Sequence, residues 1–302
     1  MEELRNKIEK LKKKKNAVIL AHYYAPSETQ ALADFVGDSY YLAKVARGTD
    51  ADVVVFAGVG FMGESAKLLC PDKKVLMPDA AADCAMAHMA SAEKIRALRS
   101  EYPDLAVVCY INSTAALKCE SDVCVTSSNA VKIVKRLPNK NIFFIPDGNL
   151  GAFVKEQVPE KNIILNDGFC PVHAAVTKED VLSAKKKHPR ALVLTHPECR
   201  GEVRELSDFL GSTADIIDFA KRSDADEFII STEDGVSFAL ESNDPEKKFY
   251  FVKEGFTCPD MKTNTPERVL YVLETEENEV TVDKKIAERA MLPLDRMLEL
   301  AK

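Results

Sequence analysis

Val18-Ile19-Leu20-Ala21-His22, Val107-Val108-Cys109-Tyr110 and Leu192-Val193-Leu194-Thr195-His196 are apolar runs rich in β-branched residues, each ending in a polar ring. Short continuous runs of this kind read as strands buried on both faces. Their terminal rings stand 88 and 86 residues apart. Seventeen residues beyond each ring comes a hydroxyl, Ser39, Ser127 or Thr213, that opens a helical pattern. Further strands centred on Phe56, Phe144 and Ile230 repeat the same two offsets. A third set, Val75-Leu76-Met77, Ile163-Ile164-Leu165 and Tyr250-Phe251-Val252, leads in each case to a cysteine. Those cysteines, Cys84, Cys170 and Cys258, are separated by 86 and 88 residues. Beyond them Ser91, Thr177 and Thr265 are N-cap candidates, the last followed by Pro266.

So many features in step mark a repeated unit. Strands alternating with helices imply parallel sheets with right-handed crossovers. The expected fold is therefore α/β: three repeated αβα domains, each a three-layer sandwich on a parallel sheet, around a pseudo-threefold axis. The units are expected at residues 1–85, 86–171 and 172–258, with 259–302 a C-terminal tail folding back on the first repeat. Within the tail the pattern predicts a helix from Thr265, a short strand Glu279–Val282 and a last helix Lys284–Leu300.

Composition excludes several classes. The 302 residues are 46% hydrophobic and 29% charged, as in ordinary globular proteins. No apolar run approaches the roughly 20 residues of a membrane helix, and Met1-Glu2-Glu3-Leu4-Arg5 lacks a signal-peptide core. A cytoplasmic protein with no membrane partner is expected. A net charge of −7 argues against nucleic acid as a partner. The run Lys12–Lys15 reads as the last turn of a helix Glu2–Lys15, where cations suit the dipole.

The eight cysteines contain no C-x-x-C pair, so neither a zinc ribbon nor a local ferredoxin motif is present. Cys70, Cys109, Cys119, Cys124 and Cys199 do not recur with the repeat and read as structural. The remaining three follow third strands, whereas His22, Tyr110 and His196 end first strands. In open parallel sheets ligands bind beyond the carboxyl ends of the strands. If the three edges face the axis, all of these residues meet in one pocket. Helix starts at Ser39, Ser127 and Thr213 would add N–H donors suited to a small polyanion. Three cysteines from separate segments suit a 4Fe-4S cluster, one per chain, with one open iron. A Cys₃His zinc site using His22 or His196 is the competing metal reading.

The stretches AHYYAPSETQALADFVGDSYYLAK, GFMGESAKLL, CYINSTAALK, TSSNAVKIV, PDGNLGAFV, CPVH, HPEC, LGSTADII and MKTNTPERVL resemble the quinolinate synthase family along essentially the whole chain. The resemblance implies that Cys84, Cys170 and Cys258 are cluster ligands. It implies condensation of iminoaspartate (iminosuccinate) with dihydroxyacetone phosphate to quinolinate, with loss of phosphate and two waters. The enzyme supplying iminoaspartate would be a possible partner. His22, Ser39, Tyr110, Ile111, Asn112, Ser127, His196, Pro197, Glu198, Ser212 and Thr213 would surround the substrate. Ser127, Ser212 and Thr213 would donate to carboxylate oxygens, Tyr24 and Glu198 would shuttle protons, and His22, Tyr110 and His196 would assist as donors or acid–base groups. Where the family commonly has His-Asn-Tyr this chain has His22-Tyr23-Tyr24, Cys84 is followed by Ala85 rather than proline, and a C-x-x-C-x-x-C tail is absent. The competing classes are a non-catalytic iron–sulfur sensor, for which no basic patch or helix-turn-helix is evident, and a dehydrogenase, for which G-x-G-x-x-G is missing. A zinc-dependent hydrolase at His196 and Glu198 would leave the recurring cysteines unexplained.

Overall fold

The computed structural model describes residues 2–302. Twelve strands form three four-stranded sheets, every pairing within them parallel. The first sheet contains β1 (Ala17–His22), β2 (Phe35–Gly37), β3 (Val53–Ala57) and β4 (Lys74–Leu76) in the order β2-β1-β3-β4. The second repeats it with β5 (Ala106–Tyr110), β6 (Val123–Val125), β7 (Asn141–Ile145) and β8 (Asn162–Leu165) in the order β6-β5-β7-β8. The third does so with β9 (Leu192–Thr195), β10 (Phe209–Leu210), β11 (Glu227–Ser231) and β12 (Lys248–Phe251), ordered β10-β9-β11-β12. Register repeats as well: Leu20 lies opposite Phe56, Val108 opposite Phe144, and Leu194 opposite Ile230. The chain is thus a triplicated αβα fold about a pseudo-threefold axis.

A repeated carboxylate fixes the first two strands of each unit. Asp34, Asp122 and Asp208 accept the backbone N–H of Ile19, Val107 and Val193 at 2.8, 2.7 and 2.8 Å. Each Asp N–H returns a bond to the carbonyl of the same residue. Each carboxylate also faces a cation from the helix before the first strand: Lys12 at 2.7 Å, Arg99 at 2.9 Å and Lys185 at 3.8 Å. This reciprocal clamp pins strand register without side-chain packing.

The two central strands of each sheet are buried on both faces, so they read as unbroken apolar runs; in β3 and β5 all five residues are buried. One apolar cluster joins the first and second units, including Phe56, Met62, Val108 and Phe144, and takes in Leu294 and Met297 of the last helix, Lys284–Leu300. Each large apolar side chain fully removed from water contributes about 1.5–3 kcal/mol. The third unit keeps its own clusters on the two faces of its sheet, around Val193 and Ile229 and around Leu194 and Phe228. Helix Pro266–Thr275 lays Val269, Val272 and Leu273 on Ile8, Ile19 and Val55 of the first unit. Helix Lys284–Leu300 packs mainly against helix Ala115–Cys119 and β6.

Three local expectations are corrected. Ser127 does not open its helix, which begins at Ala130; a turn closed by the Asn129 side chain on the Thr126 N–H (2.7 Å) comes first. Glu279–Val282 is not a strand: Glu279 makes a single antiparallel bridge to Leu76, with Val280 N–H bonded to the Val75 carbonyl at 2.8 Å. Ser91 and Thr177 cap their helices through their hydroxyls, but Thr265, the N-cap residue before Pro266, makes no side-chain cap bond.

Candidate active site

The strand ends converge. His22 ends β1, Tyr110 ends β5, and His196 follows β9 directly. The cysteine loops follow β4, β8 and β12 at the same carboxyl edge and close alike: Gly60 N–H bonds Ala82 O at 2.9 Å, Gly148 N–H bonds Gly168 O at 2.7 Å, and Asp234 N–H bonds Phe256 O at 2.9 Å. In the second unit this approach needs glycines, because a Cβ on Gly168 would lie 2.5 Å from Pro146 O. Each cysteine is then the N-cap residue of a single helical turn, at Ala85–His88, Pro171–Ala174 or Pro259–Lys262.

Cys84, Cys170 and Cys258 line one central cavity with His22, Tyr24, Ser39, Tyr110, Asn112, Ser127, His196, Glu198 and Thr213. Ile111, Pro197 and Ser212 are not among its lining residues. Ile111 and Pro197 are buried beside it. The Ser212 hydroxyl is taken up in a capping box, donating to Asp215 at 2.7 Å and accepting the Asp215 N–H at 3.2 Å. No other cysteine lines the cavity among the described residues; Cys70, Cys109, Cys124 and Cys199 are buried elsewhere and Cys119 lies on a helix of the second unit.

Glu198 is the electrostatic centre. Burial works to raise its pKa, but the neighbouring His173 and His196 rings and the Tyr110 hydroxyl outweigh it and hold the carboxyl at about 2. Tyr110 donates to Glu198 Oε1 at 2.6 Å, and His173 Nδ1 lies 2.8 Å from Oε2. Burial and then the Glu198 charge raise Tyr110 and Tyr24 well above the ordinary phenol range, so both remain donors. Tyr24 Oη sits 2.7 Å from both Thr213 Oγ1 and Thr232 Oγ1. Burial lowers His22 and His196 to about 3, and His196 Nε2 faces Ser127 Oγ at 3.2 Å. At neutral pH the cavity therefore holds two neutral imidazoles, two protonated phenols and one carboxylate.

The thiols are the discordant element. Burial pushes Cys84 up to about 12, Cys170 well above its ordinary range, and Cys258 upward as well. Buried thiols without compensating charge are inert; a cation or metal body between them would deprotonate them. Cys170 Sγ, a His173 ring nitrogen and a Glu198 oxygen lie within 4.8 Å of one another, a donor set that could hold a metal ion. Its composition differs from the three-cysteine set that the repeat selects.

His173, Asp147, Glu233 and Lys262 escaped the sequence reading. His173 bridges Cys170 Sγ (3.2 Å) and Glu198, while its Nε2 meets Thr232 Oγ1 at 3.1 Å. Its repeat counterparts are Ala87 and Met261, so periodicity passes over it. The usable signal was its place one helical turn after Cys170.

Three αβα units thus close on one cavity lined by three cysteines and by acid–base side chains, a triplicated α/β architecture. The family model for quinolinate synthetase A protein matches residues 6–299. The chain is 54% identical over 301 residues to the quinolinate synthase of Caldicellulosiruptor saccharolyticus, covering 100% of this chain and 99% of that one. It is 50% identical to the quinolinate synthases of Fusobacterium nucleatum, over 298 residues with 99% of both chains covered, and Clostridioides difficile, over 299 residues with 99% and 98% covered. The chain belongs to the quinolinate synthase family and is an enzyme. Among the described residues no helix is long and apolar enough to cross a membrane.

Proposed function

We propose that the chain condenses iminoaspartate with dihydroxyacetone phosphate to give quinolinate, phosphate and two waters. The observation that carries this reading is the convergence of three equivalent cysteine loops on the cavity that holds the Tyr110–Glu198 pair. The donor set fits a 4Fe-4S cluster: three half-buried thiols, no fourth cysteine lining the cavity among the described residues, and one iron left for substrate. Cys84, Cys170 and Cys258 would hold it. Bound there, the cluster would supply Lewis acidity toward a hydroxyl or carboxylate oxygen and so favour loss of water.

The remaining work falls to the chain's own groups. Ser127 and Thr213 hydroxyls, with Ser39 at its helix start, would donate to substrate carboxylates, a role supported by their lining the cavity. Glu198 is the proton acceptor, kept ionised by its neighbours, and His173 and Tyr110 fix the directions of its two oxygens. Tyr24 is the complementary donor, its hydroxyl pinned between two threonines. His22 and His196, neutral at pH 7, bind and relay protons without adding charge. The cavity's inner strand ends and apolar wall, including Phe61 and Met62, exclude water from these transfers.

Anaerobically purified protein tests the reading: about four irons per chain with equivalent sulfide, and quinolinate formed from the two substrates, are expected. The Cys170, His173 and Glu198 set favours one other reading, a single-metal hydrolase. Colourless protein carrying one zinc and making no quinolinate would decide for it.

A further inference from the structure

Val59, Asp147 and Glu233 occupy one repeat position, each the second residue after β3, β7 or β11. The following N–H closes the cysteine loop in every unit, at 2.7–2.9 Å. Loop closure therefore needs no charge, since the first unit achieves it beside a valine. In the second unit burial and then Glu198 push the Asp147 carboxyl well above its ordinary range, and its Oδ2 has no hydrogen-bond partner.

Only the third unit adds a cation. Lys262, four residues after Cys258, returns to Glu233 Oε1 at 2.8 Å; its counterparts are His88 and Ala174. The same oxygen accepts the Cys258 N–H at 2.9 Å, and Oε2 accepts the Gly235 N–H at 2.7 Å. Glu233 is fully buried, and burial raises its carboxyl to about 7 against the pull of Lys262. The Lys262 ammonium also donates to the Tyr24 carbonyl at 3.0 Å, across the junction with the first unit, and meets Asp234 Oδ1 at 3.0 Å.

We infer that Glu233 and Lys262 are a positioning pair for the reaction: they tie the backbone of Cys258 to that of Tyr24 and set the charge beside the metal group that Cys258 helps to hold. The inference rests on the cluster reading above. Both Glu233 oxygens are engaged by donors, so its role is to place other groups and not to exchange protons with substrate. The fold of the other two units shows that the same loop stands without it, which separates this role from folding. Potentials of iron–sulfur groups respond to nearby net charge. Removing the carboxylate leaves the Lys262 ammonium unopposed and must therefore raise the potential, whereas loss of the ammonium lets the buried Glu233 carboxyl take up a proton and leaves the net charge nearly unchanged.

The test uses anaerobically purified holoenzyme: wild type, Glu233→Gln, Lys262→Met and Lys262→Arg. Iron per chain, midpoint potential from a redox titration followed by absorbance and electron paramagnetic resonance, and kcat and KM are measured. Both uncharged variants are expected to keep iron and to lose kcat by about 10- to 100-fold with little change in KM. The potential should rise for Glu233→Gln and stay near that of wild type for Lys262→Met. Lys262→Arg should keep the wild-type potential and recover much of kcat. A Glu233→Gln potential that stays put or falls, or an arginine variant no better than the methionine one, would overturn the inference. A variant that sheds its iron would also overturn it, since the three cysteines remain. Wild type without iron would overturn the cluster reading and this inference together; wild type with iron but a Glu233→Gln potential that stays put would overturn this inference alone.

Discussion

The Tyr110 hydroxyl donates to Glu198 Oε1 across 2.6 Å, and both side chains are buried. Tyr110 ends a strand of the second unit and Glu198 follows a strand of the third, so the bond joins two repeats at the cavity. A hydrogen bond to an ionised buried group is worth about 1.5–3 kcal/mol. Tyr110→Phe removes the donor and leaves Glu198 leaning on His173 alone. Quinolinate formation should fall by about 10²-fold or more in kcat, while iron content holds. Steady-state kinetics on iron-matched protein checks this; unchanged kcat would remove Tyr110 from the mechanism.

The cysteines divide into two groups. Cys84→Ala, Cys170→Ala and Cys258→Ala should each lose most bound iron and all activity. Cys109→Ala, Cys124→Ala and Cys199→Ala remove fully buried thiols that face no cavity ligand and should keep iron, at a modest cost in stability. Iron and sulfide analysis separates the two groups, and iron retained after loss of Cys170 would contradict the ligand assignment.

Acid stability reports the buried imidazoles. His22 and His196 are lowered from 6.5 to about 3 by burial, so the unfolded chain binds protons that the folded one refuses. Their contribution is fully present above about pH 6.5 and is lost as pH falls toward 3. Denaturant midpoints of the metal-free protein should decline between pH 7 and pH 4, and His22→Gln with His196→Gln should flatten that decline. An unaltered slope in the double variant would show that other groups carry it.

Gly235 sits where the first and third units touch. A Cβ there would lie 2.7 Å from Tyr24 Cα and 2.8 Å from Tyr23 O, and backbone cannot give way as a flexible side chain can. Gly235→Ala should cost about 1–3 kcal/mol through overpacking and displace Tyr24. Urea titration gives the first quantity and kcat the second. A variant as stable and active as wild type would show that the junction is looser than its contacts indicate.

Much of this molecule could be read from residues alone. The period of the strand runs, the offsets of Cys84, Cys170 and Cys258, and the helix Lys284–Leu300 all stand in the structure as the pattern predicts. The errors share a cause. Ser127 resembles Ser39 and Thr213 in position, yet Asn129 diverts the local turn. The β-branched stretch at Glu279–Val282 makes only one bridge, Glu279 to Leu76 at the end of β4.

The sequence by itself determined the repeat, the parallel sheets and the three cysteines. A strand buried on both faces must be apolar throughout, and a loop that recurs in three units writes the same residue at the same interval. Only the tertiary structure decided that His173 reaches Glu198 and Cys170, and that Lys262 ties Glu233 to Tyr24. His173 and Lys262 have no like counterpart in the other units, so the period does not predict these pairs. They meet because three sheets are set about one axis, which brings Lys262 within hydrogen-bond distance of Tyr24, 238 positions away, and contact at that separation depends on packing between units and not on any local pattern.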